Sequence, residues 1–253
     1  MSKLQLVRRA GLNDIKLVAR DGFLVMMLSM VVVFGLVLRF GLPWMDGQLA
    51  AVGVLPSATI PSRLSDYYAP IVAYMAFYTG ALMIGTIIGF VLLDEKDERT
   101  IEAMMVTPVP LSWFVLYRAV VPALIAYVVV AAFFLFINQA LVPLWQLLLL
   151  CVGASLTAPI ITLFFATFAE NKVQGFAMAK FVGLAGWVIL LGWFVPEPLQ
   201  WLMGLFPPFL VSKAYWMALD GSPMWWMVLV VGIALEMVAI LVLIRRFSRR
   251  AFH

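Results

Sequence analysis

Six runs of apolar residues, each about 20 residues long, decide what this chain can fold into. They cover approximately 23–43, 70–93, 113–138, 146–169, 176–195 and 224–244. A run of that length crosses the hydrocarbon layer as a helix, because a helix satisfies every backbone N–H and C=O within the segment. The runs are continuously apolar, without the alternation that a membrane barrel requires. Composition agrees: 65% of residues are hydrophobic and 12% charged, with a mean hydropathy of +1.06, far outside the range of soluble domains. The expected fold is an all-α polytopic membrane protein with six transmembrane helices, forming a single transmembrane domain over 1–253.

About 20 largely polar residues precede the first run and no A-x-A cleavage site follows it, so that run is expected to stay as an anchor. Orientation follows from the basic residues, because short basic loops resist translocation. With both termini cytoplasmic, the inner side holds 14 of the 17 basic residues and the outer side only Arg39, Arg63 and Lys213. This predicts a multi-pass protein of a bacterial or archaeal inner (plasma) membrane. The net charge of +4 is explained by that bias and by anionic lipid headgroups, with no role for nucleic acid.

Several chemistries lack their parts. Cys151 is the single cysteine and His253, the last residue, the single histidine. Neither a disulfide framework nor a thiolate metal cluster can be built within one chain, and bis-histidine haem, H-E-x-x-H zinc and Ser-His catalysis are unsupported. No G-x-x-x-x-G-K-[ST] loop is present, so the chain is not expected to hydrolyse a nucleotide by itself.

Around the spans, several segments carry readings of their own. Over 1–21, Leu4, Val7, Gly11, Ile15 and Val18 recur at helical spacing among basic and polar residues, which predicts an amphipathic interfacial helix, or alternatively a loose basic tail. Ala81, Gly85 and Gly89 make a small-residue ladder for close helix approach, within one bundle or at a subunit interface. Pro122 and Pro159 fall inside spans, whereas Arg39, Arg118 and Lys180 lie near span ends and can snorkel. Glu236 falls mid-span, where a carboxyl is costly; it is a candidate for the translocation path or a structural glutamate. On the outer side, 196–223 contains short apolar pieces divided by prolines and ringed by tryptophans. It reads as a re-entrant pair of helices or as a surface loop with an aromatic belt.

The one dense island of charge lies between the second and third spans. Asp94 or Asp97 can cap a helix, Glu98 and Glu102 are one turn apart, and Thr107-Pro108-Val109-Pro110 ends the helix before the next span. The expected cytoplasmic loop, 94–112, thus holds a short helix whose apolar members Ile101, Met104, Met105 and Val106 require something to dock against. A partner protein or the headgroup region would serve.

The stretch from Glu95 to Pro108, with Arg118 following, resembles the second-loop signature of ABC-2-type transporter permeases, roughly E-R-x-x-G-T-x-E-x-L-L-x-T-P. Arg99 stands where that pattern has glycine. Six spans, inward termini, the N-terminal helix and the broken segment before the last span extend the resemblance over nearly the whole chain, and the loop is most like that of drug-export permeases. The resemblance implies the membrane subunit of an ATP-driven exporter, paired with an identical or related second permease and with two cytoplasmic ATPase subunits. ATP and Mg would then be bound by the ATPase partner, with no cofactor on this chain. It also implies that the short helix is a coupling helix seated on the ATPase. The candidate coupling residues are Glu95, Glu98, Arg99, Thr100, Ile101, Glu102, Met104, Met105, Thr107 and Pro108. The competing expectation is a secondary transporter or channel driven by an ion gradient, with Glu236 as the proton or ion site; a single central ionisable residue and no obvious inverted repeat count against it.

Overall fold

The computed structural model describes residues 16–52, 63–97 and 111–251. Among them the regular structure is helical, and six helices are long and apolar enough to cross a membrane. We label the helices α1 (Gly22–Ala51), α2 (Leu64–Asp97), α3 (Leu111–Ile137), α4 (Leu144–Phe168), α5 (Lys172–Trp193), α6 (Pro207–Leu219) and α7 (Trp225–Ala251). All but α6 span. The protein is therefore an all-α polytopic membrane protein.

Alternation of the six spans puts residues 16–21 and the end of α7 on one face, with the α2–α3 and α4–α5 connections. The opposite face carries the α1–α2 and α3–α4 connections and the segment 194–224. We call these the basic face and the far face.

The first two spans run longer than their apolar cores. Asp21 starts α1 by accepting from the backbone N–H groups of Phe23 and Leu24, ending the helical residues 16–20 that precede it. Residues 1–15, most of the predicted interfacial helix, lie outside the described residues. Further along α1, Pro43 has no N–H to give, and its ring would collide with the Arg39 carbonyl one turn back. The chain responds with a wide π-helical turn over Val37–Gly41, in which the Leu42 N–H bonds the Val37 carbonyl. Arg39 sits in that turn and donates to the Phe136 carbonyl at 2.5 Å. Its guanidinium lies over the Phe136 ring, so it closes the end of α3 instead of snorkelling. Pro122 and Pro159 both fall within continuous helices.

The bundle is organised around α2, which is almost wholly enclosed, and α4, its main partner; α3 and α7 pack on α4, and α1 and α5 lie on the outside. The small-residue ladder makes the α2–α4 contact. A Cβ on Gly85 would stand 2.6 Å from the Ala158 carbonyl oxygen, and one on Gly89 would stand 2.7 Å from the Phe165 ring. Thr162 donates to the Gly85 carbonyl across the same seam at 3.0 Å. The ladder thus serves packing within one bundle. Gly85→Ala must push the two central helices apart, with an expected cost of about 1–3 kcal/mol. Thermal unfolding of the purified protein measures it, and an unchanged midpoint would contradict this packing.

Between α5 and α7 the chain turns through Glu197–Gln200 and Trp201–Leu205 before entering α6 at Pro207-Pro208. Unlike a surface loop, α6 is buried over nearly its whole length, against α7 and α4. Leu210 lies 3.1 Å from the position a Cβ on Gly232 would take. Gly232 is seven residues into α7, about 10 Å along its axis. The first turns of α6 therefore lie beside the interior of α7 and not above its end.

Candidate functional site

Three successive residues at the foot of α2 grip three different neighbours. Consecutive residues of a helix point about 100° apart, so an enclosed helix end can reach several partners at once. Asp94 Oδ1 lies 2.7 Å from Lys172 Nζ, at the start of α5, and the same ammonium reaches Asp21 Oδ2 at 3.0 Å. Glu95 turns into the protein and forms a buried ion pair with Arg118 of α3, which lies on the same face of the bundle. Lys96 donates to the Ala169 carbonyl at the end of α4 at 2.9 Å, where the helix dipole favours a cation.

The clamp around Lys172 is partly solvated. The ammonium holds the Asp21 carboxyl below its usual value, against partial burial and with help from the Leu24 and Phe23 N–H groups. Asn171 fixes the start of α5 by accepting from the Gln174 N–H at 3.0 Å. Nearby, Phe247 of α7 packs with Leu92 and Ala166, and the Arg246 guanidinium sits over the Phe168 ring at 5.5 Å. All six spans are thereby tied together at the basic face.

This wiring frames the charged island. Helix α2 continues to Asp97 and α3 begins at Leu111, so the connecting segment is 98–110. Nine of the candidate coupling residues, Glu98, Arg99, Thr100, Ile101, Glu102, Met104, Met105, Thr107 and Pro108, fall in it and lie outside the described residues. The tenth, Glu95, sits just before it and is 6% exposed. Arg118 differs from its expected place: it faces Glu95 inside the bundle instead of reaching for water, because an acidic partner one helix away satisfies it better than a long path to the surface. The pairing is absent from local sequence pattern, since the partners are 23 residues apart.

Glu236 is 0% exposed, between α7 and α4. Thr157 Oγ1 donates to its Oε1 at 2.9 Å, and Oε2 has no hydrogen-bond partner among the described residues. Lys180, in contrast, is exposed on the outer side of α5.

The sequence profile of the fluoroquinolones export permease protein Rv2686c-like family matches residues 14–244. The chain belongs to this family. Two relatives from Mycobacterium tuberculosis are similar over almost the entire length of the permease. One is the fluoroquinolones export permease protein Rv2686c of strain ATCC 25618 / H37Rv, the other the fluoroquinolones export permease protein MT2760 of strain CDC 1551 / Oshkosh. Each is 32% identical over 250 residues, covering 96% of this permease and 93% of the relative. No solved structure matches. The six spans and the family together make this a multi-pass membrane protein of a drug-export permease family.

Proposed function

We propose that this permease is the membrane subunit of an ATP-driven ABC-2-type exporter that moves amphipathic aromatic drugs of the fluoroquinolone class out of the cell. Its basic face is cytoplasmic, with both termini on that side, in keeping with the distribution of Lys and Arg. Two ATPase subunits and a second permease, identical or related, complete the assembly, and ATP and Mg are bound by the ATPases.

The observation that carries the mechanism is the wiring at the foot of α2. The segment 98–110 seats on the ATPase through Ile101, Met104 and Met105, with Glu98, Arg99, Thr100, Glu102 and Thr107 also at the joint and Pro108 and Pro110 fixing the angle at which it meets α3. When ATP draws the ATPases together, the displacement enters the bundle through Asp94, Glu95 and Lys96. Because these residues bind α5, α3 and the end of α4, and through Lys172 the start of α1, the spans move as one body. Glu95 takes part from inside, holding α3 to α2. The α6 segment re-enters the outer leaflet, as its packing beside the interior of α7 favours.

Copurification tests the assembly: detergent extraction of the tagged permease from its native membrane should bring an ABC ATPase with it. Drug transport by purified permease alone, without any ATPase, would overturn the proposal and favour a gradient-driven carrier.

Glu236 has a structural role in this account, holding α7 to α4 through Thr157. The amide of Glu236→Gln can still accept from the Thr157 hydroxyl. We expect normal expression and transport within about two-fold of wild type, well under the tenfold that corresponds to 1.4 kcal/mol. A transport-dead variant at normal membrane levels would instead make Glu236 an ionising member of the translocation path.

A further inference from the structure

We propose that the far-face cavity formed by α6 and the turn before it is a binding site for a zwitterionic aromatic ligand about 10 Å long, the length of two turns of α6. This rests on the drug-export reading and names the place where cargo is held on its way out.

The cavity measures about 450 Å³, within the range of pockets that take one drug-sized molecule. Its long wall is one face of α6. Lys213, Trp216, Met217 and Asp220 stand at positions i, i+3, i+4 and i+7 and therefore line up along the helix. A cation stands at one end, a carboxylate at the other, and an aromatic ring and a thioether lie between. Trp193 continues the lining beside Trp216, packed edge-on against it with ring centroids 5.0 Å apart.

The cationic end is built into the protein. Lys213 is 7% exposed, an unusual place for an ammonium, and it is held by Glu197 Oε1 at 2.5 Å and Gln200 Oε1 at 2.6 Å. Gln200 is itself buried and fixed, donating to the Gly192 carbonyl at 2.7 Å. Glu197 is different, because its side chain is 71% exposed. A ligand carboxylate can displace this solvated partner at little cost, while Gln200 keeps the ammonium in place. The exposed Asp220 at the other end suits a ligand ammonium.

The charge spacing selects among zwitterions. A phospholipid headgroup carries its phosphate and ammonium too close together to reach both Lys213 and Asp220. A rigid aromatic acid with a basic amine on its far edge spans them and lays its apolar body along the Trp193 and Met217 lining between the charges. Fluoroquinolones have this form.

Equilibrium binding of norfloxacin to the full-length permease in nanodiscs tests the site, with decarboxylated norfloxacin and N-acetylnorfloxacin as probes lacking one charge each. Lys213→Gln is expected to weaken norfloxacin binding about tenfold or more, as loss of a charged hydrogen bond does, and to leave decarboxylated norfloxacin unaffected. Asp220→Asn should weaken norfloxacin similarly and leave N-acetylnorfloxacin unaffected. Asp220 is at the surface, so its variant remains informative if Lys213→Gln fails to fold. Norfloxacin binding indifferent to Asp220→Asn and to N-acetylation would overturn the proposal. So would displacement of norfloxacin by glycerophosphoethanolamine, which would give the cavity to lipid. If cells expressing the permease export norfloxacin while binding ignores these changes, only the cavity assignment fails. If wild type neither exports nor binds norfloxacin, the drug-export reading fails with it.

Discussion

Arg118→Met alone is expected to cost about 3–5 kcal/mol of stability, whereas Glu95→Gln combined with Arg118→Met should cost much less. Arg118 and Glu95 are 3% and 6% exposed, so removing the guanidinium takes a buried cation from beside a buried carboxylate, and the attraction that offsets the cost of its desolvation is lost. Removing both charges with side chains of similar volume takes away penalty and attraction together. Denaturant titration in micelles reads the four species of the cycle. A double variant as unstable as the sum of the singles would show that the two side chains act independently and would remove the pair from the mechanism. Under conditions where the double variant is folded, we also expect weaker drug stimulation of ATP hydrolysis in the assembled complex, because α3 is no longer held to the foot of α2.

The second large effect lies in the segment 98–110. Inserting glycines after Val106, or replacing Met104 and Met105 with Asp, should leave the permease in the membrane and abolish drug-stimulated ATP hydrolysis. Glycine insertion makes the joint compliant, since each glycine adds backbone freedom and the motion is absorbed before it reaches α3. The Asp changes act differently: they place charge on the apolar face that must dock, and a buried unpaired carboxylate opposes docking strongly. Basal ATP hydrolysis by the ATPase is expected to survive both changes. Normal stimulation in either variant would remove the coupling role from this segment.

The spans were legible because hydrocarbon imposes a length and a continuous apolar character, and no tertiary contact is needed to read either. The ladder of Ala81, Gly85 and Gly89 was legible as a close-approach surface, although only the fold shows that α4 fills it. Much of the polar wiring was not. Arg118 and Lys213 counted in the sequence as members of basic clusters or loops, because the quantity that orientation follows is charge per loop, not direction. Their partners, Glu95 and Gln200 with Glu197, become visible only when helices are placed. The α6 segment hid its face for another reason. Pro207 and Pro208 break the apolar pattern just where the helix starts, so residues 213, 216, 217 and 220 are too few to show periodicity against the surrounding tryptophans. The extension of α1 past Pro43 was missed because a π-helical turn absorbs a proline that would otherwise end a helix.

Norfloxacin accumulation in inside-out membrane vesicles containing the permease with its copurifying ATPase tests whether an ATPase drives drug export. Accumulation is expected to require ATP, to stop with vanadate and to persist when a protonophore collapses the proton gradient. Accumulation driven by an imposed pH gradient without ATP, and abolished by the protonophore, would contradict ATP-driven export.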